Sequence, residues 1–203
     1  MNGYLRRILP QFFLFFQFTC FAQTDSTKLL FNHLVMEVQG DLNHDGIDDK
    51  VIVTQDTLHE MAPYRFQVFF VDKDGFSKLI VTTSKLIEPQ YPNGREGYQK
   101  GNGFSDVTIQ KGVLRVNNVL LRGNFSHTFR FQHGNFELIG FSETYSDGNG
   151  VLTTIDFNLS TGVRIVKLER CDTNKQIRKS KKKIIIRTLP KLQDLIPFDN
   201  ELY

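Results

Sequence analysis

No apolar run in this chain is long enough to cross a membrane. The stretch Ile8–Phe21 is 14 residues, broken by Pro10, Gln11 and Gln17, whereas crossing the hydrocarbon takes about 20 apolar residues. Apolar residues make up 40% of the 203, enough for one core and too few for a polytopic membrane protein. Cysteine is scarce, with Cys20 and Cys171 alone. Catalytic signatures are missing as well. The five histidines, His33, His44, His59, His127 and His133, form no H-E-x-x-H, and there is neither a G-x-S-x-G elbow nor a phosphate-binding glycine loop. His127 and His133 share strand parity but lie about 20 Å apart along an extended chain, too far to share a zinc ion. Nor does any segment repeat at a fixed period.

What is present begins with the N-terminus. Arg6 and Arg7 precede an apolar stretch that holds six of the 19 Phe, and Cys20-Phe21-Ala22 follows. A basic head, an apolar middle and small residues at the last and third-last positions describe a secretory signal cleaved after Ala22. The alternatives are a buried N-terminal strand, which would need partners for Gln11 and Gln17, and lipidation at Cys20, which Gln17-Phe18-Thr19 fits poorly. Cleavage leaves Gln23–Tyr203 as a single domain of 181 residues and lowers the formal charge from +3 to +1. Cys171 is then the one remaining cysteine, so no intrachain disulfide forms, and it is expected to be a buried packing residue.

The exported chain reads as strands and turns. After a lead-in or short helix over Gln23–Leu34, apolar segments alternate with turn residues. These are Leu34–Val38, Val51–Val53, Phe66–Val71 with Phe76–Val81, Val107–Ile109 with Val113–Val116, Thr128–Gln132 with Phe136–Phe141, and Val151–Phe157 with Val163–Leu168. In Phe129-Arg130-Phe131-Gln132 the phenylalanines share one face. Short strands joined by tight turns predict an all-β domain, an antiparallel β-sandwich or a curled sheet of hairpins. A small β-propeller is the alternative, although 181 residues admit only a minimal one of four blades at about 40–45 residues each.

Charge is uneven. Gln23–Gly162 carries 12 Lys/Arg against 17 Asp/Glu, whereas Val163–Lys191 carries 11 against two. The basic stretch Lys175–Lys183 reads either as a surface for an anionic partner or as a solvated strand end that blunts a sheet edge. Export and the acidic body argue against nucleic acid.

One segment carries metal chemistry. Gly40-Asp41-Leu42-Asn43-His44-Asp45-Gly46-Ile47-Asp48-Asp49 matches D-x-N-x-D-G-x-x-D. Calcium takes six to eight oxygens, and residues at positions 1, 3 and 5 can wrap it if the chain turns sharply afterwards, which Gly46 permits. Asp41, Asn43 and Asp45 would supply side chains, Ile47 its carbonyl, and Asp49 would close the shell. The closing Glu of an EF-hand is missing, because Ile52 stands at position 12. The plainer alternative is an Asx-rich turn. Asp72-Lys73-Asp74-Gly75 and Asp147-Gly148-Asn149-Gly150 repeat only fragments of the pattern and read as ordinary turns. A Kd of about 0.1 mM would make the ion worth about 1.4 kcal/mol at about 1 mM calcium, which suits a structural role.

A second segment, Glu88–Phe104, is irregular and holds four glycines, two prolines, and Tyr91, Arg95 and Tyr98. Tyr and Arg anchor interfaces, and long irregular loops are functional or linkers.

Gly40–Val53, Lys111-Gly112-Val113-Leu114 and Thr128–Glu143 together resemble a family of small exported bacterial β-proteins. These carry one aspartate-rich calcium loop on a scaffold similar to the periplasmic inhibitors of invertebrate-type lysozyme. Immunity proteins against secreted peptidoglycan hydrolases are one group of them. The loop alone also resembles the FG-GAP repeat of integrin-like propellers, in a single copy. The resemblance implies a Ca2+ site at Asp41, Asn43, Asp45, Ile47 and Asp49. The expectation is an exported, periplasmic or extracellular, non-enzymatic domain that binds an envelope protein or glycan. Inhibition of a peptidoglycan hydrolase is its sharper form, with Tyr91, Arg95 and Tyr98 entering the enzyme's cleft. The rival classes are a carbohydrate hydrolase, which needs two facing carboxylates in a cleft, and an adhesion module, which needs a flat aromatic patch.

Overall fold

The computed structural model describes residues 29–198. The expected signal sequence over residues 1–22, with Cys20, and the segment from Gln23 to residue 28 lie outside the described residues. Over the described residues the chain is all-β, with eleven antiparallel strands in two sheets. The first sheet is a four-stranded meander of β1 (His33–Gly40), β2 (Asp49–Gln55), β3 (Tyr64–Val71) and β4 (Ser77–Thr83). The second is a seven-stranded meander of β5 (Gly103–Gln110), β6 (Val113–Leu120), β7 (Gly123–Gln132), β8 (Asn135–Ser146), β9 (Val151–Asn158), β10 (Val163–Arg170) and β11 (Gln176–Lys183). Among the described residues the helical structure is one 3₁₀ turn, Leu192–Asp194, and no helix is long and apolar enough to cross a membrane.

Each expected apolar segment forms a strand, most of them extended by a few residues, although Phe76 lies just before β4. Of the two readings of Gln23–Leu34, a lead-in or a short helix, the described part is a lead-in without helix. Residues 29–32 are irregular and Leu34 already belongs to β1, where it pairs with Thr54. Several hairpins turn where the sequence places Gly, whereas β6–β7 turns at Leu121-Arg122 and β10–β11 over residues 171–175 without one. Lys111-Gly112 and His133-Gly134 each sit at positive φ (52° and 71°, 51° and 74°), the two-residue geometry that matches strand twist.

Period-two burial brings the sheets together. On β2 the inner face is Asp49, Val51, Val53 and Gln55. Val51, Val53, Phe66 and Val68 of the small sheet pack against Val107, Leu114, Val116, Phe129, Phe141 and Phe157 of the large one in a single core. Aromatic rings cross the gap: Phe70 meets Phe131 edge-on at 4.8 Å, and Tyr64 meets Phe104 at 5.8 Å. The four strands cannot cover seven, so β10 is only half-buried up to Glu169 and exposed at Arg170, and β11 is exposed at all positions except Ser180.

Cys171 departs from expectation, because it is exposed. It follows β10 in the turn to β11, where the sheet has run beyond its cover, and its sulfur lies 4.0 Å from Ser146 Oγ.

Candidate calcium loop and binding loop

The Asp41–Asp49 segment joins β1 to β2 and is tied to itself. Asp41 Oδ1 accepts the His44 and Asp45 N–H at 2.6 and 3.2 Å, and its Oδ2 accepts Gly46 N–H at 3.0 Å. Asn43 Oδ1 accepts Asp45 N–H at 2.9 Å, and Asp45 Oδ1 accepts Ile47 N–H at 2.9 Å. Asn43 Nδ2 donates to Asp45 Oδ2 at 2.8 Å. Gly46 at φ 85° and His44 at φ 65° make the sharp bend. Partial desolvation raises the Asp41 carboxyl, but the N–H groups of Gly46, His44 and Asp45, with the His44 charge, leave it below the ordinary range.

Such bonding alone matches an Asx turn. Asp72 and Asp147 cap their hairpins in the same way, each accepting two N–H groups on Oδ1. Asp49 is what distinguishes this loop. It is fully buried, because it shares the inward parity of Val51 and Val53. Its two oxygens accept Leu42 N–H at 2.9 Å and Val71 N–H at 3.0 Å. Burial pushes its pKa up against the pull of the Leu42, Val71 and Asn43 N–H groups, and the Asp45 charge pushes further. Among the described residues the ion pairs are His133–Glu137 and Arg170–Asp172, neither in this loop. A buried carboxylate near another acid, with no cationic side chain against it, is costly unless a cation offsets it.

The donor set is all oxygen, which suits a hard cation. Asp41 Oδ2, Asn43 Oδ1 and the two Asp45 oxygens each accept a single hydrogen bond and keep a lone pair for a second partner, whereas Asp41 Oδ1 already accepts two. The set is also mixed. Among the described residues no three His, Cys, Asp or Glu side chains gather as a metal-holding group, so an ion here needs the Asn43 amide and the Ile47 carbonyl as well. By that chemistry the residues fit Ca2+.

The second candidate lies at the other end of β2. Gln55, the last inward residue of that strand, donates to Ala62 O at 3.1 Å and Gln90 Oε1 at 2.8 Å. Tyr91 N–H donates to Met61 O at 3.0 Å. Arg95 stacks over the Tyr91 ring at 5.0 Å and donates to Thr57 O. Asn93 Nδ2 donates to Tyr98 O at 2.9 Å, while the Tyr98 side chain is 76% exposed. The segment is therefore the link between the two sheets, fastened to the β2–β3 connection, with Tyr98 exposed. Gln55 and Gln90 were not singled out by the sequence; the signal for Gln55 is its place in the Val51, Val53 alternation. Since β2 rises about 3.3 Å per residue, the two candidate sites stand roughly 20 Å apart.

The histidines do not form a site together. His127 is buried among Phe125, Phe129 and Phe141, and burial lowers its pKa to about 3. His133 lies in the β7–β8 turn, 3.5 Å from Glu137. A hollow of about 420 Å³ between Leu120, Tyr145 and Arg122 holds one carboxylate, Glu143. Burial raises its pKa, and the Arg164 charge partly offsets this.

Compared with known proteins, the chain matches no family, no characterised protein and no solved structure.

Proposed function

We propose that this chain is an exported, non-enzymatic β-domain, stabilised by calcium, that binds a protein or glycan of the cell envelope. The observation that carries the reading is Asp49: a buried carboxylate beside Asp45, inside a loop already wrapped by an all-oxygen donor set. Asp41, Asn43, Asp45, the Ile47 carbonyl and Asp49 would hold the ion. Bound calcium would supply the positive charge the loop lacks and so fasten β1 to β2. The ion is structural in this reading, since the loop lies about 20 Å from the Tyr91–Tyr98 segment along β2. That segment is the binding loop. In the sharper form of the proposal it enters the cleft of a peptidoglycan hydrolase, with Tyr98 foremost and Arg95 held in place by Tyr91 and Thr57. The basic, apolar N-terminal residues support export.

The test is thermal unfolding of the protein with calcium at about 1 mM, with magnesium, and with chelator. A calcium-specific rise in Tm that Asp45→Ala abolishes is expected. Equal Tm in calcium and chelator would reduce the loop to an ordinary turn.

A further inference from the structure

Two sheets have four edges, and three are accompanied. At β1 and β5, Val107 N–H donates to Met36 Sδ at 3.3 Å and Gly40 faces Ile109. At β4, Thr83 Oγ1 donates to Gln193 O at 3.1 Å, beside the 3₁₀ turn. β11 packs along β10. Among the described residues, the backbone groups on its outer side have no hydrogen-bond partner.

This open edge is also the most basic element among the described residues. Arg178, Lys179, Lys181, Lys182 and Lys183 stand among its eight residues, with no acid. Lysines on an edge strand serve to blunt it. Here the charges go further, because cations of β11 lie directly opposite cations of β10: Lys179 pairs with Lys167, and Lys182 with Arg164. Like charges across a ladder are destabilising. Breaking a local rule at a stability cost, on an exposed surface, points to a use.

We propose that β11 is a docking edge for an acidic, extended segment of a partner protein, which adds to the large sheet as an eighth strand. The chemistry selects this occupant. Strand addition meets the free row of backbone donors and acceptors. Because side chains alternate, acids on one face of the added strand would lie beside Lys179, Lys181 and Lys183, and on the other beside Arg178 and Lys182. A second copy of the chain is disfavoured, since two β11 edges would set cation against cation. A flexible polyanion could follow the lysines of one face but would leave the backbone row unmet. The edge is separate from both the calcium loop and the Tyr91–Tyr98 segment, so the proposal stands apart from the function proposed above.

The experiment uses the purified protein and a labelled peptide matching the length of β11, alternating Glu with Thr. A second peptide has the same sequence with every backbone nitrogen methylated, which keeps every charge and removes the N–H donors that would face β11 in either orientation. Binding is read by fluorescence anisotropy at about 50 mM and about 300 mM salt. Expected is binding that weakens with salt, falls at least about tenfold on N-methylation, and falls by a similar factor in Lys179→Glu/Lys181→Glu/Lys183→Glu. The peptide comparison needs no variant, so misfolding of the triple variant would not obscure it. Equal binding of the methylated peptide and of inorganic polyphosphate would overturn strand addition in favour of a plain polyelectrolyte surface. Absence of binding at low salt would overturn the docking edge altogether, as would self-association blocked by the triple substitution.

Discussion

Asp49 and Asp45 carry similar chemistry in different surroundings, and their substitutions should separate. Asp49 caps two backbone N–H groups from inside the core, so Asp49→Ala leaves Leu42 and Val71 donors unmet. A loss of about 1–3 kcal/mol is expected with or without calcium. Asp45 is exposed and bonds within its own loop, so its removal should matter chiefly when calcium is present. Urea unfolding of both variants in calcium and in chelator checks this; equal losses under all conditions would remove the distinction. His127 sets a pH limb. Its folded pKa is about 3, against an ordinary 6.5, because burial disfavours the charged ring. Below pH 6.5 the unfolded chain takes up a proton that the folded chain refuses. Stability is therefore lost as pH falls from about 6.5 toward 3, by at most about 1.4 kcal/mol per pH unit. His127→Phe should flatten that limb, which unfolding midpoints at a series of pH values would read.

Among elements, the strands were legible because their apolar residues recur every second position between Gly, Asn and Asp turns. The limits of the hairpins were not, since ladder pairing extends strands into polar ends such as Asn124 and Ser146. β11 is the clearest case. Its composition has no apolar alternation, and it is a strand because β10 offers a paired edge. The Glu88–Phe104 segment shows the converse: its composition was compatible with a loose linker, yet it is fastened through Gln55, Gln90, Tyr91 and Arg95. If this element is the inhibitory loop, Arg95→Ala with Tyr98→Ala should lose hydrolase inhibition while unfolding shifts by no more than about 1 kcal/mol. Inhibition equal to wild type would remove the loop from the proposal.

For the whole molecule, the fold depends on closing two meanders over one core, and Gly40 sits at that closure. A Cβ there would lie 2.6 Å from Ile109 Cγ2 on β5. Gly40→Val should therefore cost about 1–3 kcal/mol by overpacking the seam, read as a lower urea midpoint; an unchanged midpoint would mean the sheets adjust freely. The sequence by itself determined the all-β class, several of the turn positions and the oxygen-rich loop, because strand periodicity and turn chemistry are local properties. Only the tertiary structure decided that Asp49 is buried, that Cys171 is exposed, that the two candidate sites occupy opposite ends of β2, and that the basic stretch is an open sheet edge. Each of these depends on which strands pair and how far four strands can cover seven, and pairing between distant segments is a property of the whole chain.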